Sequence, residues 1–294
     1  MIDLHCHSIA SDGEYAPGEL PALAAQNGLS ALALTDHDTT EGLEEFLAAD
    51  STVECIPGIE LSCSMAGTNN VHIVGLYVDR KNPALQEKLA QIRNWRDKRN
   101  IVILEKLKEL GRPVSFEEVL EIARKEDDGS GKIVIGRPHI AKAMCQHGYC
   151  KDVREAFDKF LGNARPAYVD RLKLEVKEGI RLLRNAGAVV IWAHPFVTMS
   201  RRNKVTRTIE ELISLPEAER LDGLETIYPD YKLNDTFYGQ KLARQKKLLE
   251  SGGTDFHGPT TRKGIQIGFG YEHAPICVPD SFLDAIKDVR LKRA

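Results

Sequence analysis

The sequence lacks a long apolar run, a strong excess of one charge and a paired cysteine motif. No eighteen consecutive apolar residues occur, so the chain offers no segment typical of a membrane-spanning helix. The formal net charge of −3 gives no overall field that would attract nucleic acid, so any such contact must be local. The six cysteines include no C-x-x-C pair, which favours reduced thiols over disulfides or a structural zinc site.

The N-terminus also lacks the pattern of a secretory signal. The chain begins directly with the strand-like segment Met1-Ile2-Asp3-Leu4, and no basic segment precedes an apolar one. We therefore expect a cytoplasmic protein that does not bind membranes. No feature of the sequence indicates an obligate protein partner.

Short apolar runs alternate with amphipathic segments in two parts of the chain, residues 1–82 and 171–294. This alternation predicts an α/β fold with parallel strands, at 2–4, 31–35, 53–60, 71–78, 188–193 and 221–227. Between the two parts, residues 83–170 contain long charged helical patterns, such as 83–110 and 115–126, and no strand pattern. We predict that 1–82 and 171–294 close one barrel and that 83–170 form a helical insertion domain.

Histidine and carboxylate residues are concentrated at the ends of the predicted strands. In an extended strand, residues two apart point to the same side, as His5 and His7 would and as Asp255 and His257 would. Because the carboxyl ends of parallel barrel strands meet at one mouth, we expect these side chains to converge there. The nine candidate metal ligands are His5, His7, Asp12, His37, Glu60, His72, His194, Asp255 and His257.

The composition of this set predicts its chemistry. Six imidazoles and three carboxylates are favoured by zinc, manganese and iron, whereas magnesium sites seldom use histidine. Three carboxylates leave positive charge over when two or three divalent ions bind, which suits an anionic substrate such as a phosphate ester. A metal-bound hydroxide would then attack phosphorus. A single histidine after a strand is more often structural, so the prediction depends on the joint pattern.

These residues lie in motifs that resemble the PHP (polymerase and histidinol phosphatase) family. The resemblance spans nearly the whole chain and implies a distorted seven-stranded β/α barrel with a two- or three-metal centre for phosphoester hydrolysis. It fills all nine family ligand positions, and we expect manganese, with iron and zinc as alternatives. The motifs are Asp3-Leu4-His5-Cys6-His7-Ser8, Ser11-Asp12-Gly13, Thr35-Asp36-His37-Asp38, Pro57-Gly58-Ile59-Glu60, His72-Ile73-Val74-Gly75, Ala193-His194-Pro195 and Gly253-Thr254-Asp255-Phe256-His257.

The predicted insertion resembles one subgroup of that family. The subgroup comprises 3′,5′-nucleoside bisphosphate phosphatases, whose relatives also act as 5′-to-3′ exonucleases on short RNA. The resemblance implies a nucleotide that loses its 3′-phosphate or a short RNA that loses its 5′-terminal nucleotide. The segments that carry it are Gly136-Arg137-Pro138-His139-Ile140-Ala141, Phe160-Leu161 and Pro166-Ala167-Tyr168-Val169.

The residues around Arg137 also predict a phosphate-binding site independently of the resemblance. Pro138 fits the first helical position, so Arg137 and His139 would lie at a helix N-terminus, where free N–H groups and a guanidinium bind phosphate. A helix cap with an outward-facing arginine is the alternative. We assign catalysis to Arg137 together with Asp255 and His257.

Further substrate contacts are predicted in the same insertion. Lys159 and Arg165 are candidates for phosphate binding, with ordinary surface charge as the alternative. Tyr168 would line a nucleoside pocket or simply pack. Outside the insertion, residues 200–207 carry four bases and no acid, and they either track an RNA backbone or form a solvated loop.

Three rival functions remain open at this level. A phosphatase for a small metabolite such as histidinol phosphate would use the same metals. A non-catalytic, metal-stabilised interaction module would keep the barrel but lose ligands. Hydrolysis of a C–N bond would share the barrel and the metals without requiring a phosphate-binding arginine.

Overall fold

The structure, a computed structural model, describes residues 1–65, 68–125, 135–170, 173–199 and 201–293. The chain divides into two compact units. The first comprises Met1–Leu89 and Lys173–Ala294, and the second comprises Ala90–Leu172. No helix among the described residues is both long and apolar enough to cross a membrane.

A curled sheet forms the centre of the first unit. Its strands are β1 (Ile2–Cys6), β2 (Ala31–Leu34), β3 (Glu54–Met65), β4 (Thr68–Leu76), β5 (Leu174–Glu175), β6 (Val189–Trp192), β7 (Gly223–Ile227) and β8 (Leu249–Gly252). Seven of them follow the order β1-β2-β3-β4-β6-β7-β8, and the short β5 pairs with β3. Every residue of β2 and β6 is buried, as expected for a strand that is covered on both faces.

The segment after β8 returns to β1. The Asp255 N–H donates to the His5 carbonyl at 2.8 Å, and the His7 N–H donates to the Phe256 carbonyl at 2.9 Å. A Cβ atom on Gly253 would lie 2.4 Å from the His5 Cβ, so only glycine allows this close approach. The predicted α/β fold with a seven-stranded sheet is confirmed.

The direction of one strand differs from the prediction. β4 runs antiparallel to β3 and to β6, so the expectation of parallel strands throughout is wrong. Only two residues separate β3 from β4, and a connection that short cannot cross over to start a parallel strand. β3 also extends beyond its predicted end, and Glu60 therefore lies within it rather than at its last position.

The described residues also form α-helices. They are α1 (Leu20–Gln26), α2 (Leu43–Ala48), α3 (Pro83–Glu109), α4 (Phe116–Lys125), α5 (Arg137–Gln146), α6 (Val153–Ala156), α7 (Val176–Asn185), α8 (Pro195–Thr198), α9 (Arg202–Ile213), α10 (Leu233–Lys246) and α11 (Asp280–Leu291). The start of α9 lies within the basic stretch 200–207, so the solvated-loop interpretation is wrong from Arg202 onward. Ser200 lies outside the described residues.

The second unit is helical. Its apolar core includes Ile103 and Leu107 of α3, Val119 of α4 and Ile140 of α5, all buried. α5 begins after Gly136, whose extended backbone (φ −125°) precedes the first helical turn. A π-helical turn at Phe157–Leu161 continues from α6.

Candidate metal centre

The nine predicted ligands come together in the first unit. The metal-binding atoms of eight of them form three overlapping groups, and within each group all atoms lie within 4.8 Å of one another. His194 joins the cluster through Glu60, since its Nε2 lies 3.1 Å from Glu60 Oε1. The groups are His7, Asp12, His37 and His257; His5, His7, Glu60 and Asp255; and His37, Glu60 and His72.

Strand geometry explains only one of the two i, i+2 pairs. The rings of His5 and His7 lie 5.2 Å apart, while the intervening Cys6 donates its S–H to the Ala33 carbonyl. Asp255 instead has a left-handed backbone (φ 52°), so extended-strand alternation does not account for its proximity to His257. His194 is also left-handed (φ 32°), a conformation that non-glycine residues seldom adopt.

The reversed direction of β4 positions His72. This residue lies in the middle of β4, where its backbone pairs with Ser62 of β3. Its Nδ1 lies 3.1 Å from Glu60 Oε1. In an all-parallel barrel the early part of a strand would lie far from the carboxyl ends of its neighbours, so the hairpin brings His72 to Glu60.

Several atoms at the centre of the cluster that could bind a metal are buried without a hydrogen-bond partner among the described residues. They are His5 Nε2, His7 Nδ1 and Nε2, His37 Nδ1 and Glu60 Oε2. Burial of a polar atom without a partner is costly, and native structures seldom leave several together. A cluster of such atoms from residue types that bind metals is the arrangement that a cation would satisfy.

Distances within the cluster fit metal coordination. Two donors bound to one ion at about 2.1 Å lie about 3.0 Å apart at a right angle and about 3.4 Å apart at the tetrahedral angle. His7 Nε2 lies 3.0 Å from Asp255 Oδ1 and 3.4 Å from Glu60 Oε2. His5 Nε2 lies 3.4 Å from both of these oxygens. The residues present therefore fit divalent cations, and Glu60, which belongs to two of the three groups, could bridge two ions.

Neighbouring acceptors fix the proton on two of the imidazoles. His257 Nδ1 lies 2.8 Å from the Asp255 carbonyl, which only accepts, so Nδ1 carries the proton. His5 Nδ1 similarly donates to Glu225 Oε1 at 3.1 Å. In both rings the Nε2 lone pair is then directed into the cluster, as a metal ligand requires.

Electrostatic interactions within the cluster are strong. Burial by itself raises the pKa of the Glu60 carboxyl, but the imidazoles of His37 and His5 hold that pKa well below its usual range. Burial likewise lowers the pKa of His7, but the adjacent carboxylates of Asp255 and Glu60 more than offset it and raise the pKa to about 10. The pKa values of His5 and His37 are also raised by neighbouring carboxylates, whereas burial lowers that of His72. Without an ion, protons on His5, His7 and His37 therefore compensate the buried carboxylates.

The residues that hold the ligands in place were not among the predicted site residues. Glu225 of β7 accepts from His5 Nδ1 and also from the His194 N–H at 2.7 Å. The Tyr228 hydroxyl donates to Asp255 Oδ2 at 2.7 Å, and Arg262 Nη1 donates to the same oxygen at 3.0 Å. A carboxylate inside a predicted strand was a usable signal for Glu225, whereas no local pattern distinguishes Tyr228 or Arg262.

Asp36 supports the loop that carries Asp12. Its carboxylate accepts from the Ser8 N–H at 2.8 Å, from the Ser8 hydroxyl at 2.7 Å and from the Ser11 hydroxyl at 2.6 Å. Asp12 itself exposes 51% of its side chain, with Oδ1 3.4 Å from His257 Nε2. Asp12 thus forms the open side of an otherwise buried cluster.

The predicted substrate contacts all lie in the second unit. Arg137 is the first residue of α5 and donates from Nη1 to the Leu161 carbonyl at 2.9 Å. Its guanidinium carbon lies 5.5 Å from the ring centre of Phe157 and 5.6 Å from that of Tyr168. Arg137 is therefore held by two aromatic rings rather than directed outward on a bare cap.

The other predicted contacts have local partners. His139 Nδ1 accepts from the Gly136 N–H at 3.0 Å, so its ring caps the helix and carries its proton on Nε2. The Tyr168 hydroxyl donates to Asp170 Oδ1 at 2.9 Å. Lys159 pairs with Glu155 at 2.6 Å and exposes 61% of its side chain. Arg165 follows the π-helical turn, and its N–H donates to the Gly162 carbonyl.

Comparison with known proteins gives consistent similarities. The sequence matches the PHP domain over residues 3–130. A 3′,5′-nucleoside bisphosphate phosphatase from Chromobacterium violaceum is 33% identical, and the match covers 95% of this chain and 94% of that protein. A 5′-3′ exoribonuclease from Haemophilus influenzae is 32% identical, with 87% of this chain and 90% of that protein covered.

A solved structure is similar across both units. It is a Chromobacterium violaceum protein, named an amidohydrolase, with bound sulfate and no metal. The two chains superpose with a TM-score of 0.76 and are 31% identical, and the match covers 99% of this chain and 96% of the other. The similarity therefore includes the helical unit as well as the barrel.

Proposed function

The chain belongs to the PHP domain family and is a phosphoric ester hydrolase, and on that premise we propose that it hydrolyses nucleotide phosphate esters. The proposed reactions are removal of the 3′-phosphate from 3′,5′-nucleoside bisphosphates and 5′-to-3′ trimming of short RNA. The observation that carries the proposal is the buried cluster of six imidazoles and three carboxylates whose central donor atoms lack partners among the described residues.

The proposed cofactor is two or three divalent ions, manganese first, with iron and zinc as alternatives. All nine residues would hold them, with Glu60 shared. When bound, such ions supply Lewis-acid charge and activate water at neutral pH. The chain itself contributes the orientation of the ligands: Glu225 fixes His5, while Tyr228 and Arg262 hold one oxygen of Asp255 and leave the other directed at the histidines.

Arg137 is the proposed phosphate ligand of the helical unit. The two aromatic rings and the Leu161 carbonyl hold its guanidinium in one orientation, which reduces the entropy lost when it binds an anion. Its place in the first turn of α5 adds the positive end of the helix dipole. His139, with its proton on Nε2, could donate to the same phosphate or to the leaving oxygen.

Nucleotide recognition is supported by the named activities of the two relatives. We assign Lys159 and Arg165 to outer phosphate contacts and Tyr168 to the edge of a nucleoside pocket. The cytoplasmic location stays a prediction, as does the domain division at residues 83 and 170.

A substrate panel tests the proposal. Purified enzyme loaded with Mn²⁺ is given adenosine 3′,5′-bisphosphate, a 5′-phosphorylated pentaribonucleotide, histidinol phosphate and hydantoin, and products are separated by chromatography. We expect phosphate from the bisphosphate and mononucleotides from the RNA. Turnover of histidinol phosphate alone would favour a metabolite phosphatase, and turnover of none of the phosphate esters would contradict the proposal.

Hydrolysis of a C–N bond has one specific observation in its favour, the amidohydrolase name of the similar solved structure. Hydantoin, a cyclic amide without phosphate, is the substrate in the panel that reports it. Loss of activity in an Arg137→Ala variant would count against this reaction, because C–N hydrolysis has no need of a phosphate-binding arginine.

A further inference from the structure

Asp12 differs from the other eight candidate ligands in exposure and in spacing. Its side chain is 51% exposed, whereas none of the other eight exposes more than 17%. Its oxygens lie 3.4 Å from His257, 3.9 Å from His7 and 4.0 Å from His37, while the other two carboxylates of the set approach imidazoles to 3.5 Å or less. The affinity for an ion bound by Asp12 therefore depends on how this residue is held.

Glu14, two residues further along the same loop, has its partners near the other end of the chain. From these contacts we infer that Glu14 is a positioning residue: it ties the loop that carries Asp12 to the segment after His257 and so sets the affinity for the ion that Asp12 binds. The inference rests on the proposed metal-dependent function and deepens it, because it assigns the residue that decides at which Mn²⁺ concentration the centre fills. We call the contacts of Glu14 with residues 258–261 the Glu14 latch.

The latch is formed by several donors that converge on one carboxylate. Glu14 accepts from the Thr260 N–H at 3.0 Å, from the Thr260 hydroxyl and from the Thr261 N–H. A Cβ atom on Gly258, which has a φ of 111°, would lie 2.5 Å from the Glu14 Cβ, so only glycine lets this segment close over the side chain. Hydrogen bonds to an ionised acceptor are roughly twice as strong as neutral ones. The carboxylate thus fixes Glu14 against the segment that follows His257.

The loop between His7 and Glu14 transmits this position to Asp12. The Gly13 N–H donates to the Ser8 carbonyl at 2.9 Å. A Cβ atom on Gly13 would lie 2.5 Å from the His7 carbonyl oxygen, so the chain turns back tightly beside Asp12. A displacement of Glu14 would therefore move Asp12 relative to the imidazoles.

Two other contacts hold the same loop and limit the effect of the latch. Asp36 accepts three hydrogen bonds from the start of the loop. At its end, the Tyr15 ring lies 5.7 Å from the ring of Phe256. Loss of the Glu14 side chain should therefore loosen Asp12 without releasing it, and the affinity for its ion should fall without being abolished.

The negative charge of Glu14 could raise the affinity for a cation without any contact to residues 258–261. Two variants separate charge from position. Glu14→Gln removes the charge but keeps one oxygen that accepts from the backbone N–H groups. Thr260→Val removes one donor to the carboxylate and changes no charge.

Equilibrium dialysis of the Mn²⁺-loaded enzyme tests the inference. Bound Mn²⁺ per chain is measured by mass spectrometry against a falling series of free Mn²⁺ concentrations. We expect Glu14→Ala to lose one ion at an about tenfold higher free concentration than the wild type, as for other outer partners of metal ligands, and to keep the remaining ions as the wild type does. Glu14→Gln and Thr260→Val should each show a smaller shift, about threefold.

Glu45→Ala is the matched control. It removes another carboxylate that accepts from the N–H of a distant segment, at Gly18, and should leave every ion in place. The double variant of Glu14→Ala with Thr260→Val should match Glu14→Ala alone, because the Thr260 hydroxyl would act only through Glu14.

Kinetics supply a second measurement that a general loss of structure would not reproduce. In Glu14→Ala, the Mn²⁺ concentration that gives half of the maximal activity on adenosine 3′,5′-bisphosphate should rise about tenfold. The kcat at saturating Mn²⁺ should equal that of the wild type, because all nine ligands are retained.

The outcomes separate this inference from the proposed function. Unchanged Mn²⁺ retention in Glu14→Ala, or an equal loss of every ion, would overturn the inference. Equal shifts in Glu14→Gln and Glu14→Ala, with none in Thr260→Val, would mean that charge acts instead of position and would also overturn it. Absence of nucleotide hydrolysis in the Mn²⁺-loaded wild type would remove the proposed function, while the dialysis would still report on the Glu14 latch.

Discussion

The two units differ in how they hold their polar side chains. In the barrel unit, His7 and Glu60 are completely buried, and several donor atoms around them have no partner among the described residues. In the helical unit, Lys159 is exposed beside Glu155 and Arg137 is held by two rings and a carbonyl. The helical unit thus satisfies these groups with its own residues, whereas the barrel unit requires protons or cations to compensate its buried carboxylates.

This difference indicates that the metal-binding cluster supplies the reactivity of the proposed enzyme and that the helical unit contributes to its substrate selectivity. Buried, unpartnered donors are costly and are retained where an ion is bound. Preformed surface cations cost little and can vary with the substrate. We therefore expect substitutions in the barrel cluster to have large effects on every substrate, and substitutions in the helical unit to have smaller effects that depend on the substrate.

The largest effect is expected for Glu60→Gln. This change removes the charge shared by two of the ligand groups and should lower kcat by about a thousandfold, since metal catalysis contributes several kcal/mol. Kinetics and bound-metal content by mass spectrometry measure it. Glu54→Gln, at the exposed start of the same strand, is the control and should behave as wild type. Equal activity of the Glu60 variant would mean that the cluster is structural.

Arg137→Ala should have the next largest effect. Removal of one preorganised donor to a phosphoryl oxygen lowers kcat/KM by about a hundredfold. Arg137→Lys should recover only part of the loss, because a lysine cannot form the bidentate fork. Arg154→Ala, 91% exposed in the same unit, is the control. If the Arg137→Ala variant keeps its metal content but loses turnover, Arg137 acts on the substrate and not on the metals, as the comparison of the two units predicts. Full activity of this variant would remove Arg137 from the proposed site.

The Tyr228→Phe variant tests whether the Tyr228 hydroxyl positions the metal ligand Asp255. Loss of the hydroxyl that donates to Asp255 should reduce activity or metal affinity about tenfold, as for other outer-layer partners of metal ligands. Excess Mn²⁺ should restore part of the activity if the hydroxyl acts by positioning Asp255. Tyr77→Phe, whose hydroxyl contacts Glu54 on the surface, provides the comparison. An unchanged metal requirement would contradict this role.

Metal affinity should rise with pH. The neighbouring carboxylates raise the pKa of His7 to about 10 in spite of its burial, so in the ion-free cluster this ring is protonated at pH 8. A bound cation must displace that proton, and apparent affinity should increase about tenfold per pH unit for each proton released. Calorimetric titration with Mn²⁺ at pH 8, in two buffers of different ionisation enthalpy, counts the protons. Binding without proton release would contradict the assignment of His7 as a ligand.

The smallest effect is expected for Lys159→Ala. An exposed cation that already pairs with Glu155 contributes weakly to binding an anion, so KM for adenosine 3′,5′-bisphosphate should rise by about threefold. High salt should reduce the difference from wild type, because exposed charges are screened. A hundredfold loss would mean that an exposed lysine contributes as much as Arg137, and the expected order of effects would be wrong.

Particular residues show how far sequence reasoning reached. The alternation of apolar runs predicted the α/β class, and His5 of β1 and His7, one residue beyond its end, lie close together as strand periodicity predicted. Asp255 and His257 do lie together, but not through the strand alternation that was expected, since Asp255 is left-handed and one of its carboxylate oxygens is held by Tyr228 and Arg262. Side-chain hydrogen bonds between distant segments leave no local pattern in a sequence.

The amino-acid sequence by itself determined the fold class, the nine residues that could bind metal and the resemblance to a family, because periodicity and residue type are local properties. Tertiary structure alone decided that β4 runs in reverse and brings His72 to Glu60, that Glu225 orients His5, and that Arg202 joins the starts of α9 and α10. The physical reason is that these features depend on which distant segments pack together, and packing is a property of the whole chain.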